Sequence, residues 1–267
     1  ILHGEELQIM EHCCEGEFAV LATSIDKMVQ RMLEQQSILQ KEKVFLADSM
    51  ADISHQMKTP LTSISLLLNL LQEEHLSEKK RLQYVQDLMK LTGRIDWMVY
   101  ALLRLAKLDA GTVQLQQIPY QIEDLIKAAV TPLEIALDIR DITLEVQMQP
   151  DLQHRGDISW MTEAVSNILK NCMEHTPSGG HIRIVTKHNP LYLLIKITDS
   201  GRGFTKQDLP HIFERFYRGQ NADTDSVGIG LALAKRIIIA QNGTIRAYNH
   251  KKDGGAVFEI RMYKGAV

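Results

Sequence analysis

The sequence is poor in the features that mark secreted, metal-binding and membrane-spanning chains. It has three cysteines in 267 residues, Cys13, Cys14 and Cys172; two adjacent cysteines cannot close an ordinary disulfide, and the spacing fits no metal site. We therefore expect a reducing compartment. No apolar run approaches the roughly 20 residues of a membrane-spanning helix, and no signal peptide is recognisable. The 30 basic and 33 acidic residues nearly balance, which gives no electrostatic reason to expect nucleic acid as a partner.

The sequence does contain enough apolar material for a buried core. Hydrophobic residues make up 45% of the chain, and its length suits one large domain or two modest ones. Because the sequence begins with Ile1 rather than Met, we expect a fragment of a longer protein.

A seven-residue repeat runs through the first part of the chain. Its apolar members are Ile25, Met32, Leu39, Leu46 and Ile53. The second core position of the seven-residue repeat is occupied by polar residues in the middle of this segment. This pattern favours a signalling helix of modest stability in a coiled coil or bundle. We expect this helix to continue to about residue 72, with Pro60 inside it, where proline removes one backbone hydrogen bond and bends the helix.

A second helix is predicted from about residue 77 to Asp109. Apolar residues recur along one face of it, and Gly111 supplies a left-handed stop. Two long helices joined by a short loop predict an antiparallel hairpin. A dimer that forms a four-helix bundle would cover the apolar stripe of such a hairpin.

Beyond Gly111 the pattern changes to short strands mixed with helices. Strands are predicted over 113–118, 142–148, 182–187, 191–198, 244–249 and 256–262, and helices over 121–136, 158–175 and 231–242. The fold class is therefore α+β, with a helical hairpin followed by a sheet covered by helices. We divide the chain into three segments, 1–43, 44–111 and 112–267.

His55 lies two residues after Ile53, about 200° around the helix from the repeat, so it should point into solvent. An exposed histidine is usually only a surface side chain, but the run from Asp52 to Ser63 resembles the phosphoacceptor box of sensor histidine kinases. The resemblance implies that His55 receives a phosphoryl group. It also implies that Thr59, one turn further on, orients the water that hydrolyses phosphohistidine.

Gln56 departs from that family, which usually has Glu or Asp directly after the histidine. An amide oxygen accepts a hydrogen bond but cannot take up a proton. Our hypothesis is that Gln56 fixes the imidazole tautomer and leaves deprotonation to solvent or to ATP, at some cost in rate.

The run from Asn167 to Pro177 resembles the N box of the ATPase superfamily that includes histidine kinases, gyrase and the heat-shock ATPases. There Asn171 would bind Mg²⁺ through its side-chain oxygen. Asn167 stands where hydrolytic members carry a glutamate, which favours transfer to a side chain over hydrolysis. Glu174 stands where the family often has Lys, so one phosphate contact of the family is in doubt.

Three further runs resemble the G1, F and G2 boxes of the same superfamily. The residues that they supply to nucleotide binding are Asp199, Gly201 and Gly203, then Phe213, Arg215, Phe216 and Arg218, then Gly228, Gly230 and Leu231. The resemblance implies that Asp199 accepts a hydrogen bond from the adenine amino group and that the glycines let the backbone approach the nucleotide. It also implies aromatic anchors for a mobile lid, arginines near phosphate, and a helix N-terminus at the triphosphate. Asp225, Ser226 and Val227 replace the usual upstream glycine or threonine.

The five motifs occur in the family's order, and the resemblance covers residues 44–265. It implies a signalling linker over 1–43, a dimerisation and phosphotransfer domain over 44–111, and an α/β sandwich that binds ATP and Mg²⁺ over 112–267. The expected protein is a homodimeric kinase that autophosphorylates His55 and passes the group to an aspartate of a response regulator, at the cytoplasmic face of a membrane. Two alternatives stay open: a degenerate kinase that serves as a dimeric scaffold, and an ATP-driven clamp.

Overall fold

A computed structural model of the chain describes residues 17–73, 75–219, 227–250 and 254–263. The adjacent cysteines, Cys13 and Cys14, and the replaced residues Asp225 and Ser226 lie outside this description. The chain divides into two compact units, Ile1–Lys58 and Thr59–Val267.

The first helix, α1, covers Glu17–Leu71 with Pro60 inside it, as the heptad pattern predicts. Several serine hydroxyls donate to the carbonyl four residues earlier, among them Ser54 to Met50 at 2.8 Å. Such bonds satisfy small polar side chains within a helix. In the single chain the repeat residues Met32 and Leu39 stay 64% and 63% exposed, so they are available to a second helix.

The second helix, α2, covers Glu78–Asp109 and confirms the prediction. Ser77 is its N-cap and accepts a hydrogen bond from the Lys80 amide at 3.5 Å, which satisfies one of the free amides of the first turn. Gly111 has φ +63°, the left-handed conformation expected at a helix stop.

The remaining elements form an α+β unit. Its strands are β1 (Ile118–Gln121), β2 (Thr143–Gln147), β3 (Gln153–Gly156), β4 (His181–His188), β5 (Tyr192–Asp199), β6 (Gly243–Asn249) and β7 (Ala256–Tyr263). Its helices are α3 (Ile122–Val130), α4 (Glu134–Ile139), α5 (Ile158–His175) and α6 (Gly230–Ala240). The main sheet has the order β2-β4-β5-β7-β6, parallel only between β2 and β4, while β1 and β3 form a separate antiparallel pair.

The core lies between the main sheet and helices α3, α5 and α6. Alternate residues of β5 are buried, and α5 and α6 pack closely on each other and against the sheet. The largest fully buried side chain is Phe258 on β7. This packing fixes the carboxyl end of β5 beside α5.

Two predictions for this unit need correction. The strand predicted over 113–118 is wrong, because only Ile118 of this range belongs to a strand. The Gln116 amide donates to the Asp157 carboxylate at 3.2 Å rather than to a carbonyl of a neighbouring strand. The helix predicted over 121–136 is interrupted by a 3₁₀ turn at Thr131–Leu133, since Pro132 has no amide to donate. The other predicted strands and helices are confirmed to within about two residues. Among the residues described, no helix combines the length and apolarity required to cross a bilayer.

Candidate nucleotide site

Helix α5 brings the two asparagines of the N box to one face. Asp157 caps the helix, and its Oδ1 accepts from the Ser159 and Trp160 amides at 3.1 and 3.3 Å. Asn167 and Asn171 are one turn apart, and both line a cavity of about 520 Å³. An amide oxygen is a ligand that Mg²⁺ accepts together with phosphate oxygens and water, so Asn171 fits a metal–nucleotide ligand.

Asp199 ends strand β5 at the floor of the same cavity and is only 3% exposed. Its Oδ1 accepts from the Gly201 amide at 2.9 Å and the Ala256 amide at 3.1 Å, and the buried Cys172 thiol donates to the carboxylate. Burial raises the pKa of the Asp199 carboxyl, and the three donors offset part of that rise. The carboxylate is therefore held in one orientation while it faces the cavity.

Cys172 follows Asn171 on α5 and is fully buried. Burial, followed by the neighbouring Asp199 charge and its hydrogen bond, raises the pKa of the thiol well above its ordinary value. The thiol therefore stays protonated and acts as a donor.

Two glycines are required by close backbone contacts around the cavity. A Cβ on Gly201 would lie 2.4 Å from the His175 carbonyl oxygen, and one on Gly228 would lie 2.5 Å from the Tyr217 carbonyl oxygen. Gly228 also has φ +74°, which other residues rarely adopt. Helix α6 begins two residues later at Gly230, so the free amides of its first turn open on the cavity together with Leu231.

The F box is divided between the core and the cavity. Phe213 packs edge-on against Phe258, with ring centroids 6.4 Å apart. Arg215 forms an ion pair with Asp109 at the end of α2, whereas Arg218 lines the cavity.

Most of the predicted nucleotide residues converge on one cavity. The lining includes Asn167, Asn171, Asp199, Gly203, Arg218, Gly228, Gly230 and Leu231. Within the described ranges of the chain, the predicted residues outside the lining are Gly201, Phe213, Arg215 and Phe216. Gly201 nevertheless fixes the Asp199 carboxylate, and Phe213 anchors the segment that carries Arg218.

The predicted phosphoacceptor residues lie on α1. In the first unit His55 is exposed and Gln56 is half-buried. In the second unit Thr59 is exposed. The outward orientation of His55 in a bundle stays a prediction, because the repeat residues Met32 and Leu39 are exposed in the single chain as well.

Helix α2 contributes a part of the lining that no sequence motif indicates. Lys90, Arg94 and Trp97 line the cavity, together with Leu91 and Gly93. The only signal in the sequence is their spacing, because positions i, i+4 and i+7 share one face of a helix.

The cavity wall carries an excess of positive charge. Its cationic residues are Lys90, Arg94, Lys170, Arg202 and Arg218, and its acidic residues are Glu174, Asp199 and Asp208. This excess of two positive charges suits an anionic ligand whose own charge is partly neutralised, such as a nucleoside triphosphate with a divalent cation.

Comparison with known proteins assigns both parts of the chain. Residues 46–111 match the His Kinase A (phospho-acceptor) domain, and residues 156–265 match the histidine kinase-, DNA gyrase B- and HSP90-like ATPase family. The heme sensor protein HssS of Staphylococcus saprophyticus is 28% identical over 264 residues, which cover 99% of this chain and 55% of that protein. The sensor protein SphS of Synechococcus elongatus is 32% identical over 225 residues, which cover 79% of this chain and 53% of that protein.

The same fold occurs in a solved complex of the histidine kinase ThkA with the response regulator protein TrrA. The TM-score is 0.69 at 18% identity, with 84% of this chain and 64% of that chain covered. The present chain spans about half the length of the curated relatives HssS and SphS.

Proposed function

We propose, from the premise that this chain belongs to the sensor histidine kinases of two-component systems, that it transfers the γ-phosphoryl group of ATP to His55. The observation that carries the proposal is the cavity where Asn171, Asp199 and the N-terminus of α6 meet. These groups offer a metal ligand, an acceptor for an amino group and phosphate-binding amides in one site. An exposed imidazole in the region that matches the phosphoacceptor domain supplies the nucleophile.

Each cavity residue has a role that its position supports. Asp199, held by the Gly201 and Ala256 amides, accepts a hydrogen bond from the adenine amino group. The first-turn amides of α6 and the Arg218 guanidinium bind phosphate oxygens. Asn171 holds Mg²⁺, which neutralises phosphate charge when it is bound.

In the transfer, an imidazole nitrogen of His55 forms a bond to the γ-phosphorus while the bond from that phosphorus to the β–γ bridging oxygen breaks and ADP leaves. The imidazole N–H proton is lost during the reaction. The Gln56 amide accepts a hydrogen bond from the imidazole and fixes its tautomer, and the proton passes to solvent or to ATP. Thr59, four residues later in the helix, orients water for the dephosphorylating activity.

The proposed partners are a response regulator, whose aspartate accepts the phosphoryl group from His55, and a second copy of this chain. The complex of ThkA with TrrA supports the first, since ThkA resembles this chain in fold. Exposed apolar residues on α2 support the second: Leu82, Val85 and Met89 are 60%, 41% and 70% exposed in the single chain, and a bundle would cover them. We place the whole protein at the cytoplasmic face of a membrane, through segments outside this sequence.

Phosphorylation with γ-labelled ATP tests the proposal. Wild type should acquire label that is labile in acid and stable in base, and His55→Ala should acquire none while it still binds ATP. Label that survives in His55→Ala contradicts the proposal, and ATP binding without any labelling of wild type favours the scaffold alternative. In the same assay Gln56→Glu should be labelled faster than wild type, since a carboxylate can take up the proton; a slower variant would contradict the role given to Gln56.

A further inference from the structure

Helix α2 is fixed on the ATP-binding part of the second unit by a buried seam. Met98 and Ala101 are 0% exposed and Leu105 is 1% exposed, and α2 packs against α6. Next to this seam Arg104 contacts α5, with its guanidinium 3.3 Å from the Glu163 carboxylate and 4.0 Å above the Trp160 ring. The rotation of α2 about its axis is therefore set by apolar packing and by polar contacts.

The same rotation directs three residues nearer the start of α2 at the nucleotide cavity. Trp97, Arg94 and Lys90 continue the face of the seam by successive turns, and all three line the cavity. Trp97 also contacts the N box directly, because the Lys170 ammonium lies 5.4 Å from the centre of its ring. The wall that α2 provides is thus joined to the helix that carries Asn167 and Asn171.

Gly93 supplies an independent observation on this wall. A glycine inside a helix costs about 1 kcal/mol relative to alanine, and a Cβ at Gly93 would meet no atom within 4 Å. No protein contact in the described structure therefore requires glycine here. The residue lines the cavity, where the missing side chain leaves space for a ligand to approach the backbone.

We propose that α2 forms part of the nucleotide site, with the Arg94 guanidinium and the Lys90 ammonium contacting phosphate oxygens of ATP. The inference rests on the proposed function and adds residues that the ATPase motifs do not contain. Arg94 presents a planar set of donors suited to two phosphate oxygens, while Lys90 contributes a single ammonium.

A consequence is that ATP binding and the packing of α2 stabilise each other. A ligand that contacts two elements favours the state in which they are together, and the coupling is reciprocal. Nucleotide affinity should then depend on the number of phosphates, since adenosine cannot reach Arg94 or Lys90.

The test compares equilibrium binding of ATP and adenosine to the whole chain at one ionic strength. Arg94→Gln should weaken ATP binding by about tenfold and Lys90→Gln by about threefold, as expected for partly exposed charge-assisted hydrogen bonds. Both variants should bind adenosine within about twofold of wild type. Lys79→Gln is the matched control, because Lys79 is an exposed cation on α2 outside the cavity lining.

The outcomes separate this inference from the proposed function. Asp199→Asn should weaken both ligands, which tests the adenine site itself. If Asp199→Asn is impaired while Arg94→Gln and Lys90→Gln bind ATP like Lys79→Gln, the role of α2 is refuted and the nucleotide site stands. If Asp199→Asn binds ATP like wild type, the proposed adenine site fails instead. Melting curves for each variant exclude unfolding as the cause of weaker binding. If Arg94→Gln fails to fold, the comparison of Lys90→Gln with Lys79→Gln provides the test.

Discussion

Removing the Leu105 side chain should loosen α2 from the ATP-binding part of the unit. Leu105→Ala deletes three carbon atoms from a side chain that is 1% exposed, which costs about 2.4 kcal/mol in transfer free energy at 0.8 kcal/mol per carbon. The cavity left behind raises the expected cost to roughly 3 kcal/mol. With a urea slope of about 2 kcal/mol/M, the unfolding midpoint should fall by about 1.5 M.

Tryptophan fluorescence is the suitable assay, because the chain has only two tryptophans and both lie where α2 meets α5. Trp97 is contacted by Lys170 of α5, and Trp160 by Arg104 of α2. The control is Leu103→Ala, which deletes the same atoms from a side chain that is 59% exposed and should change stability by less than about 0.5 kcal/mol. Equal fluorescence midpoints for the two variants would refute the buried packing of Leu105 on α2.

Two further predictions concern the floor of the cavity. Burial raises the pKa of the Asp199 carboxyl. In the folded state this carboxyl therefore keeps its proton at pH values where it has lost it in the unfolded state. At neutral pH the ionised carboxylate consequently lowers the free energy of unfolding. The stability gained by Asp199→Asn should therefore shrink as the pH falls through the raised pKa; urea titrations across that range check it, and a gain independent of pH contradicts it. Cys172→Ala removes the thiol donor to Asp199 and should weaken ATP binding about 2- to 10-fold, whereas Cys172→Ser keeps a donor and should stay within about twofold; equal losses in nucleotide titrations would exclude the hydrogen-bonding role.

The sequence predicts those elements whose periodicity is strong and whose ends carry their own signals. The sequence predicts helix α5 at its observed bounds because its apolar residues recur with helical spacing. In the structure Asp157 caps its first turn. Strand β3 was missed because the residues of Gln153–Gly156 are polar or small and carry no apolar alternation. Its pairing with β1 joins segments more than 30 residues apart, which local pattern cannot reveal.

Periodicity also identifies an apolar face without identifying what covers it. The pattern predicts that a helical bundle covers the apolar stripe of α2, yet Met98 and Leu105 of that stripe are buried in the single chain, where α2 packs against α6. The same limit applies to Arg215, which the motif resemblance directs at phosphate and the structure pairs with Asp109. The motif resemblance implies that Asn171 and Asp199 share one site, and both do line one cavity. They meet because the end of α5 lies beside the end of β5.

Gln241 links two helices that line the cavity, α5 and α6. Its side chain accepts from the Asp157 amide at 2.7 Å and donates to the Asp157 carbonyl at 3.2 Å, so the residue that follows α6 is tied to the N-cap of α5. Asn171 lies 14 residues further along α5, roughly 21 Å at 1.5 Å per residue. Helix α5 is also packed along its length against α3 and α6, so these two hydrogen bonds add to that packing. A tilt of α5 by about 5° about this end would displace Asn171 by roughly 2 Å, ten times the roughly 0.2 Å over which metal–ligand distances vary. Small motions at the start of α5 therefore matter at the cavity.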